Sequence, residues 1–158
     1  MLLAEIIPIA EHVKTELAPY CSRIEIAGSI RRKKAQCGDI ELVAIPDSYK
    51  LEEYFKKQIG KIIFSKNGPK YKQFRLQGCQ IDLFLCSPDN WGLIFLIRTG
   101  SARFSERALA RWKMVSNGGY SNEGYLYTKS GVQVKTPEET DVFNKLGWQF
   151  IQPVARVF

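Results

Sequence analysis

Ala27-Gly28-Ser29-Ile30-Arg31-Arg32-Lys33-Lys34-Ala35-Gln36-Cys37-Gly38-Asp39-Ile40-Glu41-Leu42 packs two glycines, four consecutive cations and two carboxylates into one connection between two strand-like segments. Arg23 to Ala27 alternates as a short strand ending at Gly28-Ser29, and Asp39 to Ile45 reads as a second strand rich in Ile, Leu and Val. Residues two apart on a strand share a face, so Asp39 and Glu41 are expected to project together while Ile40 and Leu42 face a core. Two carboxylates fixed side by side repel unless cations sit between them, and hard oxygen ligands favour Mg²⁺ or Mn²⁺. Gly28 lets backbone N–H groups approach a phosphate closely, and Arg31, Arg32, Lys33 and Lys34 can neutralise a triphosphate. A phosphate cradle beside a metal-binding carboxylate pair is what in-line phosphoryl transfer requires.

A third acid lies downstream. Gln80-Ile81-Asp82-Leu83-Phe84-Leu85 is an apolar strand with one embedded carboxylate, costly unless paired or metal-bound. Around these strands, Leu2 to Leu17 places Ile6, Ile7, Ala10, Val13 and Leu17 at helical spacing, with Pro8 fitting only near the first turn. Lys50 to Gln58 reads as helix. Strands are expected near Lys61 to Phe64, Tyr71 to Leu76 and Gln80 to Cys86. Helices follow at Asn90 to Ile97 and Ala102 to Val115, then a small hairpin of Tyr120 and Tyr125 to Thr128. A last helix has Thr136 as its N-cap and Pro137 at N1. The fold expected is α/β (α+β), a mixed sheet flanked by helices over residues 1–88. A smaller, mainly helical lobe with a short hairpin is expected over residues 89–158.

The 158 residues carry 23 Lys and Arg against 16 Asp and Glu, a net charge of +7 that suits a polyanionic partner without identifying it. The excess is spread over both lobes, 14 basic and 10 acidic residues in the first and 9 and 6 in the second. Cys21, Cys37, Cys79 and Cys86 form no Cys-x-x-Cys pair, and His12 is the single histidine, so a zinc site is not expected and the thiols read as reduced. Cys37 reads as a small core filler and His12 as a surface histidine. The apolar run from Trp91 to Ile97 is too short for a membrane span and reads as core. The N-terminus lacks the features of a signal peptide, which points to the cytoplasm and away from a membrane.

Taken together, the apolar residue before Gly28-Ser29, the nine-residue spacer and Asp39-Ile40-Glu41-Leu42 resemble the nucleotidyltransferase superfamily. More narrowly, the chain resembles the palm and thumb of family X DNA polymerases, the DNA polymerase beta-like enzymes. Gly28-Ser29-Ile30-Arg31-Arg32 with Gly38-Asp39 is similar to their nucleotide-binding segment, Ile81-Asp82-Leu83 to their third-acid strand and Thr99-Gly100-Ser101 to the turn opening their thumb. The stretch from Glu138-Glu139 through Leu146-Gly147 to Pro153 and Arg156 is similar to their C-terminal segment. The resemblance implies a palm over residues 1–88, a thumb over 89–158, and addition of deoxynucleotides from dNTP substrates to a DNA 3′-hydroxyl with Mg²⁺, or Mn²⁺. Asp39 and Glu41 would ligate both metals, and Asp82 the catalytic one. Gly28, Ser29, Arg32 and the backbone at Gly38 would hold the triphosphate, and Thr99 and Gly100 would lie beside the incoming sugar and base.

Departures from the pattern carry their own expectations. Glu41 stands where the family usually has a second Asp. Ile97-Arg98 replaces the aromatic pair that precedes Thr-Gly-Ser, which implies weak to moderate sugar discrimination and leaves Arg98 to bond a 2′-hydroxyl or to reach a phosphate. The family's fingers and lyase domains would lie before Met1, so the chain is similar to reduced polymerases of prokaryotic, phage or virus-like settings. It is expected to act as a monomer on primer-template or gapped DNA in repair.

Arg103, Arg107 and Arg111 share one helical face, suited to DNA backbone contact or simply to solvent. Lys66, Lys70, Lys72 and Arg75, interleaved with Tyr71 and Phe74, read equally as a single-stranded DNA contact or a solvated strand surface. Alternative functions are a small-substrate nucleotidyltransferase, a template-independent terminal transferase and a catalytically silent nucleic-acid-binding module.

Overall fold

The computed structural model describes residues 1–58 and 60–156. The chain divides into two compact units, Met1–Cys86 and Ser87–Phe158. The first is a five-stranded mixed sheet with helices. Helix α1 (Leu3–Leu17) leads into β1 (Cys21–Ile26), a one-turn α2 (Gly28–Arg31), β2 (Ile40–Pro46) and α3 (Lys50–Lys57). Then come β3 (Phe64–Asn67), β4 (Tyr71–Leu76) and β5 (Cys79–Leu85), in the sheet order β1-β2-β5-β4-β3. Strands β2 and β5 run parallel, and the other neighbours pair antiparallel. The third strand thus lies at Phe64–Asn67, later than the Lys61–Phe64 expected from the sequence. Gln77 and Gly78, both with positive φ, form the two-residue turn between β4 and β5. That is the backbone of the turn type whose twist matches paired antiparallel strands, and glycine enters it without steric cost.

Strand alternation splits the sheet into two chemically different faces. Ile24, Ile40, Leu42, Ala44, Phe74, Ile81 and Leu83 form one core with Ile6, Ala10, Val13 and Leu17 of α1 and Leu51, Tyr54 and Phe55 of α3. The buried stripe of α1 omits Ile7, which is exposed. The helix also runs straight through Pro8, starting at Leu3 and not after the proline. Pro8 sits on the solvent side, so the carbonyl it leaves unbonded can meet water. Its cost of about 3 kcal/mol is set against about 1.5–3 kcal/mol for each large aliphatic side chain the helix buries. Lys72 shares this helix-covered face and is 1% exposed, its ammonium 2.8 Å from Glu52 and 5.4 Å from the centre of the Phe55 ring. Lys72 and Phe74 are therefore interior residues, which removes both from the surface proposed for single-stranded DNA; Lys66, Lys70 and Arg75 are exposed.

The second unit contains α4 (Trp91–Thr99), α5 (Ala102–Val115), a three-stranded sheet of β6 (Tyr120–Asn122), β7 (Tyr125–Tyr127) and β8 (Gln133–Val134), and α6 (Glu139–Leu146). Its core joins Leu93, Leu96, Phe104, Ala108, Trp112, Leu126, Val142, Phe143 and Leu146. Gly92 lies so close to the backbone of Thr136 and Glu138 that a Cβ there would come within 2.0 Å of the Glu138 carbonyl. That contact engages Thr136, whose carbonyl accepts from Gly92 N–H and whose N–H donates to Asp89. Thr136 is consequently buried, and α6 begins later, with Glu138 as N-cap in a reciprocal bond with Asp141.

Arg156 anchors the C-terminal segment. Its side chain is fully buried, bonds Glu139 at 2.7 Å and the Ile151 carbonyl at 2.9 Å, and lies over the rings of Phe104, Phe143 and Phe150. Removing one member of such a pair strands the other's charge in the core. Arg156→Ala is expected to cost about 3–5 kcal/mol in urea unfolding, and Arg156→Met with Glu139→Leu to cost less than the single change. A single-variant loss below about 1 kcal/mol would show that the pair does not hold this unit.

Candidate active site

The sheet face opposite α1 and α3 carries the acids. The chain leaves β1 at Ala27, whose N–H donates to the Glu41 carbonyl at 2.8 Å, and turns sharply at Gly28 with φ +60°. A Cβ on Gly28 would stand 1.7 Å from Glu41 Oε2, so the Glu41 carboxyl lies against a bare Cα. In the α2 turn that follows, the Ser29 hydroxyl oxygen is buried with no hydrogen-bond partner among the described residues. The loop beyond is pinned by the chain start. Leu3 N–H donates to Ala35, Cys37 N–H to Met1, and Leu2 bridges Gln36. Cys37 is buried there as a filler, and Gly38 emerges exposed, with nothing within 4 Å of where its Cβ would be.

Asp39 stands one residue ahead of β2, not inside it. Its carboxyl is close enough to Asp82 to share a hydrogen bond. Burial raises its pKa first, the neighbouring Asp82 charge raises it further, and Arg32 offsets part of the rise. Glu41 and Asp82 are directly paired in the parallel β2–β5 register. The three acids thus converge on one end of two adjacent strands. Asp39 meets Asp82, whereas Glu41 is turned onto Gly28. Among the described residues no three His, Cys, Asp or Glu side chains come close enough together to hold a metal ion. Asp39 and Asp82 stand within hydrogen-bond reach of each other, and Glu41 is the cross-strand neighbour of Asp82.

Asp82 is 6% exposed and accepts from three side chains that the sequence reading passed over: Tyr71, Gln73 and Gln80. Gln73 faces Asp82 across the β4–β5 ladder, and Gln80 precedes it by two on the same face. Alternation along Tyr71 to Leu76 was the available signal, since it puts Tyr71 and Gln73 opposite in face to Lys72 and Phe74.

The other expected site residues lie in the second unit. Thr99 is buried at the end of α4, Gly100 caps that helix with φ +67°, and Ser101 caps α5 by accepting from Phe104 N–H. Arg98 is exposed in the last turn of α4, and Arg103 and Arg107 are exposed on α5. Arg111 is half-buried and donates from Nε to the Leu146 carbonyl at 3.0 Å, closing the C-terminus of α6. All four thiols are free, and burial pushes Cys21 up to about 11 and Cys86 up to about 12, which makes these two poor nucleophiles. No described helix is long and apolar enough to cross a membrane.

No protein-family model matches the chain. It is 29% identical to DNA polymerase lambda of Rattus norvegicus across 82% of its own length, and it spans 28% of that protein. DNA polymerase lambda is a family X member, and the similarity to it is distant. The relative is a rat protein, so the prokaryotic, phage or virus-like setting expected from the sequence finds no support in it.

The two glycines of the segment separate cleanly by experiment. Gly28→Ala combines a left-handed backbone with a collision against Glu41, and is expected to cost about 1–2 kcal/mol or more in urea unfolding. Gly38→Ala, with ordinary backbone and open space, should be neutral or stabilise by up to about 1 kcal/mol. Equal losses at the two positions would contradict this placement of Glu41.

Proposed function

We propose that the chain is a nucleotidyltransferase that adds deoxynucleotides to a DNA 3′-hydroxyl, with Met1–Cys86 acting as its palm and the following unit as its thumb. The observation that carries the reading is the approach of Asp39 to Asp82 beside a turn that holds a buried, unpartnered Ser29 hydroxyl. Two carboxylates brought together at the cost of burial and mutual repulsion suit a divalent cation, and an unpartnered hydroxyl suits an arriving phosphate oxygen. The similarity to DNA polymerase lambda supports the same class.

In this reading Asp39, Glu41 and Asp82 would hold Mg²⁺ or Mn²⁺. Bound there, the ions would neutralise developing phosphate charge and favour ionisation of the attacking hydroxyl. Ser29, Arg32 and the backbone of Gly28 and Gly38 orient the triphosphate. Gly38 serves that role well because nothing of the chain itself crowds it. Thr99, Gly100 and Arg98 contact the nucleotide, while Arg103 and Arg107 grip the DNA backbone. Primed, gapped and single-stranded DNA with labelled dNTPs and Mg²⁺ provide the test. Extension of templated substrates alone identifies a polymerase, and extension of single strands a terminal transferase. No extension of any DNA overturns the proposal and leaves small acceptors.

Asp39→Asn and Asp82→Asn should each lower extension at least about a hundredfold without unfolding the protein. Glu41→Asp should keep substantial activity and Glu41→Gln lose nearly all of it. Stability gives an independent readout. A carboxyl whose folded pKa is raised adds stability as pH falls and subtracts it near neutrality. Asp39→Asn should therefore raise the metal-free Tm at pH 7 while abolishing the further rise that Mg²⁺ gives the wild type. An Mg²⁺-dependent rise that survives in Asp39→Asn would remove Asp39 from the metal site.

Phosphate contacts make DNA affinity fall with salt, by about 0.9 in slope for each contact on duplex DNA. Replacing Arg103 and Arg107 with Ala should flatten the slope by up to about two contacts. Arg111 is left in place because its loss would uncap α6. An unchanged slope returns the α5 face to solvent.

A further inference from the structure

Asp82 sits in a cage of neutral donors. Tyr71 Oη donates to Oδ1 at 2.5 Å, Gln73 Nε2 to the same oxygen at 2.9 Å, and Gln80 Nε2 to Oδ2 at 2.9 Å. Gln73 Nε2 also donates to Tyr71 Oη at 2.9 Å, so the tyrosine accepts from the amide and spends its own proton on Asp82. The amide nitrogens of Gln73 and Gln80 can only donate, and with Gln73 donating to it the Tyr71 hydroxyl turns its own proton to Asp82. Each carboxylate oxygen offers two lone-pair sites. Tyr71 and Gln73 fill both sites of Oδ1 and Gln80 takes one of Oδ2, while the Asp39 carboxyl stands within hydrogen-bond reach of the same group.

The cage is stiff for reasons that lie in the sheet. Gln73 is the direct cross-strand partner of Asp82. The Tyr71 ring is stacked on Phe84 at 5.0 Å and 15°, with the Lys66 ammonium 5.3 Å from its centre. Asp82 is nearly excluded from solvent, so water does not readily replace a donor. None of the three donors carries charge, so none of them repels an arriving cation.

Resting on the nucleotidyltransferase reading, we infer that Tyr71 and Gln73 are positioning residues that confine Asp82 to one-oxygen ligation through Oδ2 and thereby favour Mg²⁺ and Mn²⁺ over Ca²⁺. Mg²⁺ demands near-octahedral geometry at short distance, whereas Ca²⁺ takes six to eight oxygens at longer range and readily accepts both oxygens of one carboxylate. With Oδ1 saturated by Tyr71 and Gln73, the two-oxygen mode is closed. Gln80, on the other oxygen, sets which lone pair remains.

The test uses the full chain without DNA or nucleotide. Free Mn²⁺ is followed by EPR while Mg²⁺ or Ca²⁺ competes for the site, in wild type, Tyr71→Phe, Gln73→Met and Asp82→Asn. Tyr71→Phe keeps the ring stack and loses only the hydroxyl; Gln73→Met keeps the length and loses the donors. In each, Mg²⁺ affinity relative to Ca²⁺ should fall about tenfold or more, the scale typical of groups that orient metal ligands. A general loosening of the strand would weaken both ions alike. Equal shifts for the two ions, or no shift in either variant, would overturn this inference alone. Mn²⁺ binding that is absent in wild type, or unchanged in Asp82→Asn, would overturn both the inference and the reading beneath it.

Discussion

Strands β2 and β5 pair in parallel so that Glu41 stands beside Asp82, and the same register puts Leu42 beside Leu83. One pairing therefore creates both an apolar face for α1 and α3 and an acidic face opposite. The two cannot be separated, because side chains alternate with a period of two. Burial of the apolar face supplies the stability that lets the acidic face bear like charges at close range. Burial and the neighbouring Asp82 both push the Asp39 carboxyl toward protonation. The pinned loop from Ala35 to Cys37, the bare Cα of Gly28 and the cage around Asp82 all serve to hold acids where an unsupported chain would spread them.

The second unit solves a different problem. Helices α4 and α6 have nine and eight residues and the sheet has strands of two and three, so its core is small. Arg156 lends it an interior cation spanning three aromatic rings and Glu139. Arg111 does related work at the surface by closing α6 on Leu146. Two of the nine basic residues beyond Ser87 thus serve the fold. A count of net charge overstates the cations left for an anionic partner.

Periodicity read most of the elements correctly: Tyr71–Leu76 and Ala102–Val115 fall where alternation and helical spacing put them. The acids were legible because a carboxylate inside an apolar strand has few bland explanations. What stayed hidden depended on partners distant in sequence. Alternation puts Tyr71 and Gln73 on one face, but no residue type near them says that Asp82 is the group they meet across β4 and β5. Lys72 looked like surface because its ion pair comes from Glu52 on another element. Thr136 has the composition of a helix cap, but Gly92 and Asp89 had already claimed its backbone. The Arg111 bond reaches 35 positions along the chain, beyond any local pattern.

Strand β4 carries two incompatible messages on alternate residues. Its odd positions, Tyr71 and Gln73, address the acid, and its even positions, Lys72 and Phe74, address the helix-covered core. A slip of one residue would exchange them, delivering the Lys72 ammonium to Asp82 and sinking polar groups among the aliphatics. The ammonium would then occupy the place left for a metal ion, an internal salt that silences the site. What prevents the exchange is the Gln77-Gly78 turn, whose two left-handed residues fix Leu76 against Cys79 and so count the ladder back to Gln73 and Asp82. A turn with no chemical group of its own in the site therefore acts as its indexing pin.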